Sequence, residues 1–157
     1  MAGSILLKEQ GVVALTTAGA SLTSGSAGLA GTQLDARAGG NAADFFAALF
    51  SLTAQWATVT GIAAGTVVAD LYLVPAIDST NFPDIDTTAG AAYIPYTMQV
   101  GSFVASKSPS ANTNMLFQSA PVDLMPALYN AYIINRSGQT MSANWALKVL
   151  AAAAQYT

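Results

Sequence analysis

The chain has 157 residues, of which 53% are hydrophobic and only 8% are charged, with a formal net charge of −3. The five basic residues are scattered at Lys8, Arg37, Lys107, Arg136 and Lys148, so the chain has no basic stripe for a phosphate backbone and we expect no nucleic-acid partner. Cysteine and histidine are both absent, which excludes disulfides, thiolate nucleophiles, Ser-His-Asp hydrolysis and metal sites built on either residue.

The first 44 residues are poor in large side chains. Residues 4–7 and 12–17 predict short edge strands, and residues 16–33 are nearly all Ala, Gly, Ser, Thr and Leu. Such a segment buries little by folding alone, so we expect it either to be flexible or to form an extended arm that becomes ordered on a neighbouring subunit. The interface candidates are its larger apolar residues, Leu6, Leu7, Val12, Val13, Leu15, Leu22 and Leu29.

Strand signals begin at residue 45. Phe50, Leu52, Ala54 and Trp56 alternate with small or polar residues, and this period of two predicts a half-buried strand. Residues 66–75 predict its antiparallel neighbour. The uncharged stretch 45–69 is also long enough for a membrane helix, but its several Ser, Thr, Gly and Gln residues disfavour contact with lipid, and we expect no membrane partner.

Further strands follow in the second half of the chain. Extended patterns cover residues 91–106, which Pro95 and Gly101 interrupt, and residues 115–122. Residues 129–157 predict a strand, a turn at Ser137 and Gly138, and a terminal strand, although the Ala-rich end also fits a helix.

Together these patterns predict an all-β fold. Six to eight short strands, punctuated by Gly, Pro, Asn and Asp, are typical of an antiparallel β-sandwich, and a jelly-roll-like version is favoured. Residues 45–157 would form the sandwich and residues 1–44 the arm and edge strands, as one domain overall.

An acidic loop follows the strand that ends at Pro75. It holds Asp78, Asp84 and Asp86, whose carboxylates could bind a hard cation such as calcium. Their spacing is not that of an EF-hand, however, and Asp, Asn and Pro are ordinary turn residues, so the turn interpretation is favoured. We therefore predict no metal, no cofactor and no catalytic residue, with these three aspartates as weak metal candidates.

Two other features have both a functional and a structural interpretation. The aromatic residues could form a carbohydrate platform, but on alternating strands they more often belong to the core or to an interface. They are Trp56, Trp145, Tyr72, Tyr93, Tyr96, Tyr129 and Tyr132. The sequence Asn-Arg-Ser at Asn135 has the form of a glycosylation sequon, but a hairpin turn explains it better.

A surface so poor in charge predicts a component of an assembly, because neighbouring molecules would cover part of it. Three stretches, LYLVPAIDSTNFPDID at 71–86, VGSFVAS at 100–106 and YIINRSGQTMSANWALKV at 132–149, resemble small virion structural proteins of tailed bacteriophages, of the type that decorates or cements the head. The resemblance covers roughly residues 46–156.

The resemblance implies a non-enzymatic protein with a jelly-roll or related β fold. It implies a trimer that binds the major capsid protein on the outer surface of the head, after assembly in the host cytoplasm. The alternatives are a structural subunit of the tail, neck or head fibre, or a glycan- or receptor-binding module of the particle that uses exposed tyrosines and the acidic loop.

Overall fold

The computed structural model describes the backbone of residues 5–43, 45–78 and 80–156, and the side chains of residues 11–43, 46–78 and 80–150. Within these residues the chain forms ten strands and one short 3-10 turn, at Tyr96–Met98. The strands are β1 (Ile5–Gly19), β2 (Ala27–Leu29), β3 (Leu34–Asp35), β4 (Phe45–Ala54), β5 (Val67–Pro75), β6 (Gln99–Val104), β7 (Met115–Gln118), β8 (Val122–Asp123), β9 (Leu128–Asn135) and β10 (Trp145–Tyr156).

The strands form two antiparallel sheets. The first has the order β1-β10-β4-β7, with β8 also paired to β4, and the second has the order β2-β9-β5-β6, with β3 also paired to β9. If β2 with β3 and β7 with β8 each count as one interrupted strand, eight strands pair first with last, second with seventh, third with sixth and fourth with fifth. This is the wrapping of a jelly roll, so the predicted antiparallel sandwich is confirmed. The predicted pairing of β4 with β5 is wrong, because the two strands lie in different sheets.

The N-terminal quarter differs from the expected arm, because it contributes to both sheets. Strand β1 forms the edge of the first sheet along β10, while β2 and β3 pair with β9 in the second. Leu15, Leu22 and Leu34 are buried in the main core. The segment therefore folds on its own chain and does not need a neighbouring subunit to become ordered.

The C-terminal segment that also fitted a helix is strand β10, which lies between β1 and β4. Trp145, Leu147 and Val149 are buried between the sheets, whereas Lys148 is exposed. Pairing on both sides outweighs the helix propensity of the alanines.

The main core lies between the two sheets and contains both tryptophans. Trp56 contacts the edge of Phe117 with ring centroids 5.8 Å apart, and Trp145 donates a hydrogen bond from Nε1 to the carbonyl oxygen of Ala20. Residues 45–69, which by length also fitted a membrane helix, form β4, a loop and the start of β5. No helix among the described residues is long and apolar enough to cross a membrane.

A second apolar cluster covers the outer face of the second sheet. Tyr72 and Val74 of β5, with Tyr132 and Ile134 of β9, point away from the main core and are nevertheless buried. The loop between β5 and β6 lies over them with the side chains of Phe82, Ile85, Ala92, Ile94 and Met98. Strands β5 and β9 are thus buried on both faces, which explains why their sequences are nearly continuous apolar runs.

Candidate interaction surfaces

The acidic loop belongs to this cover, and two of its three aspartates bond within it. Asp78 Oδ1 accepts hydrogen bonds from the backbone nitrogens of Thr80 and Asn81, both at 2.8 Å, and Oδ2 accepts one from Asn81 Nδ2 at 2.7 Å. The side-chain bond from Asn81, followed by the backbone bonds, lowers the pKa of Asp78 to about 2. These bonds are those of a turn that stabilises its own charged carboxylate.

Asp86 behaves in the same way. Its Oδ1 accepts hydrogen bonds from the side-chain hydroxyl and the backbone nitrogen of Thr88, which lower its pKa. Asp84 is exposed. Among the described residues, no group of three or more His, Cys, Asp or Glu side chains is placed to hold a metal ion. The loop therefore gives no geometric support for a cation at Asp78, Asp84 and Asp86.

Most of the aromatic side chains proposed for a carbohydrate platform are buried. Trp56, Trp145, Tyr72, Tyr129 and Tyr132 lie in one of the two apolar clusters, with at most 8% of the surface of each exposed. Tyr93 and Tyr96, by contrast, are 65% and 80% exposed. The core interpretation is confirmed for the first five, and only the last two remain available to a ligand.

Asn135 is fully buried and stabilises the turn after β9. This turn is not the expected hairpin, because β9 and β10 lie in different sheets. Its Nδ2 donates to the carbonyl oxygens of Leu22 and Gln139, and its Oδ1 accepts from the nitrogen and hydroxyl of Ser137. The same hydroxyl accepts a hydrogen bond from Trp56 Nε1 at 3.0 Å. Because both amide hydrogens are used inside the fold, the sequon-like sequence is explained by the turn.

An apolar cleft opens beside β6 and β8, at the end of the sandwich where β5 ends. It has a volume of about 360 Å³ and is lined by Leu73, Pro75, Thr97, Met98, Val100, Asp123, Met125 and Tyr129. The Tyr129 hydroxyl donates to the carbonyl oxygen of Met125 at 2.9 Å and so fixes one wall, while burial raises the pKa of this tyrosine. The cleft has the apolar lining expected of a site for an apolar side chain.

Large apolar side chains are exposed on the segments that form this cleft or adjoin it. Met125 lines the cleft and is 71% exposed. Tyr96 and Ile77 are also exposed, Ile77 to 74%, and they lie one and two residues in sequence from the lining residues Thr97 and Pro75. Phe46, 43% exposed, accepts a backbone hydrogen bond from Leu124 next to Met125. We call Phe46, Ile77, Tyr96 and Met125 the cleft rim. Apolar side chains grouped in this way are typical of a protein-binding surface.

The outer face of the first sheet is a second exposed surface. The side chains that alternate with the buried ones on β1, β10, β4 and β7 are exposed or half-buried, in contrast to those of the covered second sheet. Register places them in three cross-strand rows, Val12-Leu150-Leu49, Ala14-Lys148-Ser51-Gln118 and Ala146-Thr53-Leu116. We call this surface, together with Asp123 opposite Ala47, the open face.

Charge is sparse on the open face. Among its described side chains, Lys148 and Asp123 carry the charges, and both are exposed. Ion pairs between described side chains join Arg37 to Asp35 and Arg136 to Asp70, each at 2.8 Å, away from this face. The period-two pattern of β10 was the sequence signal that could have identified Lys148, whereas Asp123 joins the face only through its pairing with β4.

The interface candidates from the N-terminal quarter divide into three groups. Val12 and Leu29 are 62% and 51% exposed and remain available to a partner. The prediction of an interface role is wrong for Leu15 and Leu22, because they belong to the core of the sandwich. Val13 is half-buried against this core. The backbones of Leu6 and Leu7 pair with Gln155 and Ala154, and their side chains lie outside the described ones.

Comparison with known proteins gives no family for this chain. No protein-family model matches it, and no curated protein is significantly similar to it.

Proposed function

We propose that the chain is a non-enzymatic structural subunit of a tailed-phage particle, which decorates the outer surface of the head and binds the major capsid protein. The observation that carries the proposal is the apolar cleft with the exposed Met125 in its lining, together with three more exposed apolar side chains on adjoining segments, on a chain in which only 8% of residues are charged. Such a surface is stabilised when another protein covers it. The resemblance to head decoration proteins supports the choice of partner.

The proposed partner would contribute an apolar side chain to the cleft and contacts to its rim. Binding free energy would come from buried apolar area, at about 25 cal/mol per Å² before the costs of association are subtracted. The methionines at Met98 and Met125 suit such a site, because their flexible side chains adapt to the shape of a partner. No catalytic step, cofactor, metal, nucleic acid or membrane enters this function.

The proposed active form is a homo-oligomer, with three copies at local three-fold positions of the capsid surface. Several weak contacts to one shell then act together, so the oligomer binds more tightly than a single copy. Its place is the virion surface, reached by assembly in the host cytoplasm.

Binding to heads tests this proposal. Purified protein is mixed with heads that lack it, and the bound fraction is measured by sedimentation at increasing protein concentration. We expect saturable binding in a fixed ratio to the major capsid protein, and at least tenfold weaker binding by Met125→Asp. Tyr93→Asp is the matched control, because Tyr93 is similarly exposed and lies outside the cleft. The absence of saturable binding to heads would contradict the proposal.

A second candidate function rests on Tyr93 and Tyr96, whose exposed rings could stack on sugars in a glycan- or receptor-binding module. Glycan binding that is lost in both Tyr93→Ala and Tyr96→Ala would favour it. A six-fold or twelve-fold ring, measured by mass in solution, would instead point to a tail or neck subunit.

A further inference from the structure

We infer that the open face is the contact between copies of this chain, with Lys148 of one copy opposite Asp123 of the next. The inference rests on the homo-oligomer of the proposed function and identifies its contact surface. The four residues of the cleft rim lie outside this face, whereas Asp123 belongs to the open face and also lines the cleft.

The asymmetry between the two sheets is the first argument. The outer face of the second sheet is covered by the chain's own loop, whose Phe82, Ile85 and Ile94 pack on Tyr72 and Tyr132. The outer face of the first sheet is left uncovered, with Val12 62% and Leu116 71% exposed. Among the described side chains of its rows, Lys148 and Gln118 are long and polar and the others are Ala, Ser, Thr, Val or Leu, so a second molecule can approach this described part closely without burying many charges.

The charges of the open face provide the second argument. Lys148 lies opposite Ser51 on β4, and Asp123 lies opposite Ala47, two strands from β10 and four residues further along. With standard strand spacing their Cα atoms are about 17 Å apart, which is beyond the Debye length at physiological salt. They therefore do not neutralise each other within one copy. Their opposite signs make the face complementary to a second copy of itself.

The geometry of this pairing is compatible with three copies. If the open faces turn towards a common axis, the β1 edge of one copy, which lies next to β10, meets the β7 and β8 edge of the next. The contact then repeats with the same sense around the ring. The apolar row of Val12, Leu150 and Leu49 would then lie near the axis. The face covers roughly 450 Å² in projection, and a ring divides it between two neighbours, so each contact is smaller than the 800 Å² or so that each partner buries in a standard interface. We therefore expect an association that depends on protein concentration.

Charge reversal tests the contact. The mass of the wild type, Lys148→Asp, Asp123→Lys and the double variant is measured by size-exclusion chromatography with light scattering at several concentrations. We expect a wild-type trimer, at least tenfold weaker association for each single variant, and recovery in the double variant, because the exchanged charges attract again. Lys107→Asp is the control, since Lys107 is exposed in the loop between β6 and β7. Circular dichroism verifies that each variant is folded.

The outcomes separate this inference from the proposed function. A wild-type monomer at all concentrations, single variants with unchanged mass, or a double variant without recovery would each overturn the contact. Saturable head binding that depends on Met125 would leave the proposed function standing in those cases. Conversely, an oligomer that follows the charge pattern but does not bind heads would support the contact and contradict the decoration function.

Discussion

At the scale of single residues, the small side chains of the N-terminal quarter have a packing cause. A Cβ atom on Gly19 would lie 1.9 Å from Cε2 of Trp145, and one on Gly28 would lie 2.6 Å from Cζ2 of the same ring. The backbone thus lies directly against the buried indole, which only glycine permits. Composition alone predicted either a flexible segment or an extended arm here, whereas the structure shows that these glycines make room for a large core side chain.

The first prediction is that Gly19→Ala destabilises the fold. The new methyl group must displace the indole of Trp145, so we expect a loss of at least about 1–3 kcal/mol in the free energy of unfolding. Gly31→Ala is the matched control, because a Cβ there has no heavy atom within 4 Å, and we expect a change within about 0.5 kcal/mol. Urea unfolding of both variants measures the difference, and equal stability would contradict the packing argument.

The second prediction concerns the titration of Asp78. Because its pKa is lowered to about 2 in the folded state, its carboxylate stabilises the loop above the unfolded pKa of about 3.9. That contribution is lost as the pH falls through the folded value. An NMR titration of the side-chain carboxyl is expected to give an apparent pKa near 2 in the wild type and a higher value in Asn81→Ala. An unchanged pKa in the variant would show that the side-chain bond from Asn81 is not the main cause.

At the scale of elements, the loop between β5 and β6 is a structural cover. Its residues 76–98 would be an unusually long irregular connection, but their apolar side chains bury the outer face of β5 and β9. Backbone hydrogen bonds hold the loop in place. Asp86 and Tyr93 exchange two of them within the loop, and the nitrogen of Ala92 donates one to the carbonyl oxygen of Gly25 outside it. The interpretation of this segment as a polar turn therefore explains its aspartates, but it does not explain its apolar residues.

The third prediction tests this cover. Ile94 lies on the buried side of the loop, with 3% of its surface exposed. Its truncation in Ile94→Ala is expected to lower the free energy of unfolding by about 2–4 kcal/mol, because burial is lost and a cavity is left. Ile77 belongs to the same loop but is 74% exposed, so Ile77→Ala is expected to change stability by less than about 0.5 kcal/mol. Denaturant unfolding distinguishes the two, and similar losses would mean that the loop does not cover the sheet as described.

At the scale of the whole molecule, the jelly roll carries two exposed surfaces, the open face and the cleft with its rim, which adjoin at Asp123. The first strand pairs with the last, so β1 forms one edge of the first sheet, and the outer face of that sheet is exposed. The cleft lies beside β6 and β8. A subunit with two such surfaces can contact its own copies through one and a different protein through the other. This arrangement suits a component that covers a larger shell.

The fourth prediction follows from association through the open face. A protein that unfolds from an oligomer has a melting temperature that rises with concentration, because mass action favours the bound state. We expect this dependence for the wild type and its loss in Lys148→Asp, measured by scanning calorimetry over a hundredfold range of concentration. A wild-type melting temperature independent of concentration would contradict the inferred oligomer.

Local patterns were sufficient for much of the fold. The alternation in β4 and the turn residues around each strand predicted an antiparallel sandwich, because strand periodicity and turn chemistry act over a few residues. Turn chemistry likewise predicted that Asp78 and Asp86 stabilise a turn. The terminal segment was predicted as a strand with a helix as the alternative, because the helix propensity of alanine is local whereas pairing with β1 and β4 is not.

The sequence by itself determined the strand-rich class of this protein, its lack of histidine and cysteine chemistry, and its low content of charged residues. Only the tertiary structure decided that the small-residue segment packs around Trp145, that one sheet is covered by its own loop, and that Lys148 and Asp123 share an exposed face. Each of these depends on contacts between residues distant in the chain, and which distant residues meet is set by the global packing of the sheets rather than by local periodicity.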